Sequence, residues 1–159
     1  MKAAIIGSGS MGNGIAHVFA QSGHAVQMVD VSQERLDQAY ATIEKNLDRQ
    51  VKKEKISADT KNATLKNLST NTDLEAAVAQ VDIVVEAVSE SIPVKEEVFK
   101  RLDQAAPQHA LLTSNTSSIS ITRLAAATQR PDKVIGMHFM NPVPVMQLVE
   151  IIRGFSTSE

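Results

Sequence analysis

The chain has 159 residues, a formal net charge of −2 and no cysteine. This length suits one domain with a self-sufficient core, and the lack of thiols excludes disulfides, cysteine nucleophiles and cysteine-ligated metals. The mildly acidic balance, with pI near 6.1, argues against nucleic acid as the main partner, and no apolar run reaches the roughly 18 residues that span a bilayer.

Residues 2–6 form an apolar run without alternation, the pattern of a short strand buried on both faces. Because that strand begins at Lys2, no room is left for a leader, and a cytoplasmic setting is expected. Gly7-Ser8-Gly9-Ser10-Met11-Gly12-Asn13-Gly14 follows, with three glycines at G-x-G-x-x-G spacing and a fourth two residues on. The first permits a tight turn, the second lets the backbone approach a pyrophosphate, and the third allows close helix–strand packing. A helix is predicted over residues 12–22, with Ile15, Val18 and Phe19 on one face and a stop at Gly23. Its first N–H groups would face the phosphates. A second strand over residues 26–29 ends in Asp30, whose carboxylate accepts from ribose hydroxyls and repels a 2′-phosphate. No arginine follows at once, so NAD is favoured over NADP.

A long helical stretch over residues 32–55 carries Leu36, Tyr40, Ile43, Leu47 and Val51 on one face and ends in Lys52-Lys53-Glu54-Lys55. On their own these lysines read as a solvated face or as an anion site. A shorter helix over 57–66, a strand over 68–70 and a helix capped by Asp73 come next. Residues 81–88 read as a buried strand. It closes with Glu86 and, two residues past its end, Glu90, acids placed at the ligand crevice of such sheets. Pro93 opens a helix through Leu102 with Lys95 in its first turn. A cation there needs an offsetting anion, so Glu90 and Lys95 form either a ribose-binding pair or a surface salt bridge.

The strand over 110–113 runs into Ser114-Asn115-Thr116-Ser117-Ser118, which by composition is a helix cap for residues 120–127. A strand over 133–139 carries His138 near its end, and an apolar strand over 145–152 contains Glu150. A buried glutamate needs a partner, and a turn at Pro142–Pro144 would bring antiparallel strands and these two side chains together. His138 is then either a structural histidine or a general base. The alternation of elements predicts an α/β fold of Rossmann type. Its sheet is doubly wound and mostly parallel, with a helical insertion at about residues 32–67 after the second strand.

The run Gly136-Met137-His138-Phe139-Met140-Asn141-Pro142-Val143-Pro144-Val145-Met146, with Ser114 to Ser118, resembles the nucleotide-binding half of the 3-hydroxyacyl-CoA dehydrogenase family, its 3-hydroxybutyryl-CoA members in particular. The resemblance covers residues 2–159. It implies reversible oxidation of an L-3-hydroxyacyl-CoA in fatty acid metabolism, with NAD as cofactor and an acyl-CoA as partner. His138 would be the base, Glu150 its orienting acid and Ser117 a contact to the substrate's 3-oxygen. NAD contacts would fall on Gly7, Gly9, Ser10, Met11, Gly12, Asp30, Glu90, Lys95, Ser117 and Asn141. CoA would lie along the insertion at Asn46 and Lys53, which turns the lysine cluster into an anion site.

The family has a second, helical domain that closes over the substrate and forms the dimer. Ser156-Thr157-Ser158-Glu159 is an S-x-x-E capping box, the start signal of a helix. The expectation is a nucleotide-binding domain over residues 1–159 that lacks its helical partner and turns over poorly alone. An NAD-binding module without catalysis is the alternative. Retention of His138, Glu150 and Ser117 together favours the enzyme, as a sensor needs only the glycine loop and Asp30. A related hydroxy-acid dehydrogenase that uses a lysine base would not need the His138–Glu150 pair.

Overall fold

A computed structural model describes all 159 residues. Seven strands form one sheet in the order β3-β2-β1-β4-β5-β6-β7. They are β1 (Lys2–Ile6), β2 (Ala25–Val29), β3 (Leu68–Asn71), β4 (Ile83–Glu86), β5 (Leu111–Ser114), β6 (Val134–Phe139) and β7 (Val149–Arg153). The first six run parallel, and β7 returns antiparallel to β6. From β1 the chain winds outward one way to β2 and β3, then crosses back to β4 beside β1. That reversal opens a crevice at the carboxyl ends of β1 and β4, the usual ligand position of doubly wound sheets.

The helices divide between the two faces. On one side α1 (Ser10–Gln21), α2 (Gln33–Lys52) and α3 (Ala58–Lys66) cover the sheet. Ile15, Leu36, Ile43 and Leu47 pack there against Ile5, Met28 and Val85. On the other side α4 (Leu74–Val78), α5 (Ile92–Ala105) and α6 (Ile121–Ala125) bring Phe99, Leu102 and Leu124 against Val84 and Leu112. The insertion after β2 is therefore α2 with α3. Ser32, Ser57 and Asp73 cap α2, α3 and α4 by accepting from the backbone N–H three residues on.

Several boundaries shift from the sequence expectation. The fourth strand is only Ile83–Glu86, since the chain past Glu86 leaves the sheet to pass over the glycine turn. The helix expected from Pro93 starts one residue earlier, at Ile92. The last strand starts at Val149 and not at residue 145, because Val145 and Met146 turn back onto the Pro142 carbonyl. Gly136 faces Ile152 across β6 and β7. A Cβ on Gly136 would lie 2.9 Å from the Ile152 Cβ and 3.1 Å from Ile121, so only glycine lets β7 and α6 close on β6 here. At Ser156 the chain is in a turn that Thr157 ties to the sheet. Thr157 Oγ1 donates to the Val134 carbonyl (2.7 Å) and accepts from the Gly154 N–H (2.8 Å).

His17 on α1 is fully buried, with Nε2 on Gln21 Oε1 at 2.8 Å and no partner for Nδ1. Burial pushes its pKa below the ordinary 6.5, with the Gln21 contact opposing only in part. The folded chain thus holds His17 neutral, whereas the unfolded chain protonates it. Its contribution to stability is complete above 6.5 and is lost as pH falls through that value toward the depressed folded pKa. Chemical unfolding between about pH 7.5 and 5.5 will show stability falling, and His17→Gln will flatten that slope. An unchanged slope would show that His17 titrates normally.

Candidate functional site

The glycine turn is set by close backbone approaches. Gly7 has φ +99°, and a Cβ on it would sit 2.6 Å from the Ala87 carbonyl oxygen. A Cβ on Gly12 would meet the Gly7 carbonyl oxygen at 1.9 Å, so the start of α1 lies directly on the turn. Gly9, in contrast, faces open space and precedes α1 with no side chain capping the first N–H groups. A tight turn, a glycine open to the crevice and uncapped helix amides fit a dinucleotide pyrophosphate.

Asp30, one residue past β2, has a side chain 10% exposed. Its Oδ2 accepts from both the Ser8 N–H (3.0 Å) and the Ser8 hydroxyl (2.7 Å). Ser8 went unnoticed in the sequence, although its place inside the glycine motif one strand from Asp30 was the available signal. Asp30 Oδ1 is left toward the cleft and toward Arg35, whose guanidinium lies 4.0 Å away. The sequence rule counted only residues directly after Asp30, whereas the first turn of α2 folds Arg35 back to the carboxylate.

Two clefts meet over the Ala87–Val88 backbone. The larger, about 720 Å³, is lined by Gly7, Gly9, Asp30, Arg35 and Val88 among others. The smaller, about 350 Å³, brings together Met11, Glu90, Lys95, Ser117, His138 and Asn141. Ser10 borders a side cleft with Asp30 and Arg35. The structure thus unites most sequence-chosen residues along one groove. Asn46 and Lys53 line neither cleft: Asn46 is half-buried on α2, and Lys53 is the exposed cap at its end.

Under the smaller cleft lies a buried polar cluster. Glu86 is fully buried, not in the crevice, and accepts from Lys95 Nζ (2.6 Å), Ser114 Oγ (2.6 Å) and the Val88 N–H (2.7 Å). The partner that Lys95 needs is therefore first Glu86 and then Glu90, whose Oε2 is 3.5 Å away. The Thr116 and Ser118 hydroxyls donate to Glu90 Oε1. Partial burial would raise the Glu90 pKa, but these hydroxyls and the Lys95 ammonium outweigh it and hold it below the usual range. Ser114 to Ser118 is accordingly not the cap of α6, a role that Ser120 fills by accepting from the Arg123 N–H. Asn115 Oδ1 instead accepts from the Phe139 N–H at 2.8 Å, which ties this loop to the strand end carrying His138.

His138 and Glu150 are directly paired residues of β6 and β7, with Nδ1 to Oε2 at 2.8 Å. An ionised carboxylate only accepts, so Nδ1 carries the proton and Nε2 presents its lone pair. The expectation of a buried Glu150 fails: its side chain is 52% exposed because β7 is the sheet edge. The pairing comes from strand register, not from a charge seeking a partner in the core. Gly14 links this region to the glycine turn, as a Cβ on it would lie 2.8 Å from the Val143 Cβ in the loop after His138. Gly14→Ala will cost about 1–3 kcal/mol in chemical unfolding and shift the His138 ring resonances. A variant as stable as its parent, with unmoved resonances, would show that the loop yields freely.

Comparison with known proteins matches this geometry. Residues 2–159 fit the family model for the 3-hydroxyacyl-CoA dehydrogenase NAD binding domain. The chain is 46% identical over 159 residues to a 3-hydroxybutyryl-CoA dehydrogenase of Clostridioides difficile, covering 100% of this chain and 56% of that one. The crystal structure of 3-hydroxybutyryl-CoA dehydrogenase from Escherichia coli K12 superposes with a TM-score of 0.97 at 46% identity, covering 99% of this chain and 33% of the other. That of (S)-3-hydroxybutyryl-CoA dehydrogenase from Ralstonia eutropha gives 0.96 at 46%, covering 99% and 56%. The chain thus spans about half the length, or less, of these relatives, and no helix in it is long and apolar enough to cross a membrane. The chain belongs to the 3-hydroxyacyl-CoA dehydrogenase family and makes up its NAD-binding domain, with NAD as the cofactor.

Proposed function

We propose that this domain holds NAD and supplies the base for interconversion of L-3-hydroxyacyl-CoA and 3-oxoacyl-CoA. The observation that carries the reading is the His138–Glu150 pair opening onto the same cleft as Ser117 and Asn141. Bound NAD supplies a hydride acceptor. His138 Nε2 takes the proton of the substrate's 3-hydroxyl, and Glu150 steadies the imidazolium that results, through Nδ1–H. Ser117, exposed at the cleft, donates a hydrogen bond to the same oxygen as its charge changes. Asp30 and the glycine turn bind the adenosine half of the cofactor, and Glu90, Lys95 and Asn141 bind its other end.

The CoA portion is proposed to run along α2 by Asn46 and Lys53, where Arg49, Lys52 and Lys55 add positive charge for its phosphates. The reading includes a cytoplasmic location, where NAD and acyl-CoA thioesters are both available. It also includes a second, helical domain that completes the pocket and the homo-oligomer. Two observations support that part: the relatives' greater length, and the exposed apolar side chains of Val145, Leu148, Ile151 and Phe155 at the β7 edge.

Asp30→Ala will weaken NAD binding at least about tenfold, whereas His138→Ala will keep it within about twofold. Equal loss in both, measured by nicotinamide fluorescence, would make His138 structural and remove the base from the scheme. In an NADH-oxidation assay with acetoacetyl-CoA, the 159-residue chain alone will be weak and will gain activity when a separately expressed helical half is added. Full activity from the chain by itself would overturn the need for a second domain.

A further inference from the structure

Residues 115–118 leave the end of β5 carrying Ser117, and a single hydrogen bond joins them to β6. The last β5–β6 pair is Ser114 with Gly136. Beyond it the Phe139 N–H, further along β6, is taken by a side chain: Asn115 Oδ1 accepts it at 2.8 Å. The Asn115 N–H itself donates to the Glu86 carbonyl, also at 2.8 Å. The rest of the loop turns on Thr116 Oγ1, which accepts from the N–H groups of Ser118 and Ile119. Its other attachment is to Glu90, through the Thr116 and Ser118 hydroxyls. Ser117 is exposed on this turn, and only its neighbours in the chain hold it in place.

We propose that Asn115 is a positioning residue for the reaction, its amide fixing the separation of Ser117 from His138. This rests on the reading in which those two side chains contact one substrate oxygen. The orientation of the amide is dictated: only an oxygen can receive the Phe139 N–H, so Oδ1 faces β6 and Nδ2 is turned away. Asn115 lies two residues before Ser117, and Phe139 directly follows His138. The bond therefore crosses between the two short segments that carry the reacting groups. A side chain has to make it, because β5 has ended and its backbone ladder goes no further. Without that bond Ser117 would be referred to Glu90, and His138 to Glu150 on β7. Those anchors stand on different elements, with nothing else to hold the two groups in step. A misplacement of about 1 Å costs a reaction about a hundredfold, so one ordinary hydrogen bond has a large hold on the rate.

The test reads two quantities in each variant. One is hydrogen exchange of the Phe139 amide in the 159-residue chain. The other is turnover of acetoacetyl-CoA and NADH by that chain with the separately expressed helical half. Asn115→Ala will exchange the Phe139 amide at least about tenfold faster than the parent. It will also lower kcat at least about tenfold, with KM for acetoacetyl-CoA kept within about twofold. Asn115→Asp keeps an acceptor of the same shape and will restore both the protection and most of kcat. If the alanine variant loses its cooperative melt, Asn115→Ser, whose hydroxyl is too short to reach, takes its place. An alanine or serine variant in which exchange and kcat do not change together overturns the proposal. So does an Asn115→Asp variant that protects the amide yet stays slow. A parent mixture without turnover would overturn the base assignment itself, and the role of Asn115 with it, which is a separate result.

Discussion

The carboxyl edge of the sheet depends on the Glu86 carboxylate. It sits at the last residue of β4 with no exposure and gathers three donors, from α5, from β5 and from the backbone past the strand end. A buried ion pair is poor evidence of net stability, because the attraction roughly offsets the cost of stripping water from both charges. Loss of one partner is a different matter, as it would strand the other charge at about 3–5 kcal/mol. The pair therefore acts as a specification. The three hydrogen bonds of Glu86 tie α5 and β5 to the 87–88 backbone on which Gly7 packs.

That backbone is the floor shared by both clefts, and three glycines bring the rest of the site onto it. Gly7 packs on Ala87, Gly12 packs on Gly7, and Gly14 packs on Val143. Helix α1 is thus clamped between the nucleotide turn and the loop that follows His138. The glycine turn and the loop beside the His138–Glu150 pair are joined by van der Waals contact through one helix.

Much of this was legible in the sequence, and the misses share a cause. The glycine spacing, Asp30 and the apolar runs of β1, β2 and β4 report local geometry, and they located the fold and its glycine turn. The facing of His138 and Glu150 was readable too, because a proline-rich turn between two strands predicts an antiparallel pair. The run Leu148-Val149-Glu150-Ile151-Ile152 suggested burial, yet apolar composition does not distinguish a central strand from an edge strand with exposed apolar side chains. Ile151 is 55% exposed. The true partner of Lys95 and the return of Arg35 to Asp30 depend on how a chain leaves a strand and enters a helix. Those paths are set by tertiary packing and leave no mark in residue spacing.

The pairing of Gly136 with Ile152 bears on how such a chain tolerates change over evolutionary time. In an antiparallel pair the two partner numbers have a constant sum, so the site where β7 crowds onto a glycine also determines which residue faces His138. Insertions and deletions in the exposed part of the turn between the strands, residues 145–148, lie past the Val143 contact with Gly14 and can be absorbed without disturbing that match. A shift of one residue within either strand cannot, since it would bring a Cβ against Ile152 and turn the Glu150 carboxylate to the opposite face. Sequence drift should therefore accumulate in that exposed segment and spare the parity of the strands, which keeps His138 opposite Glu150.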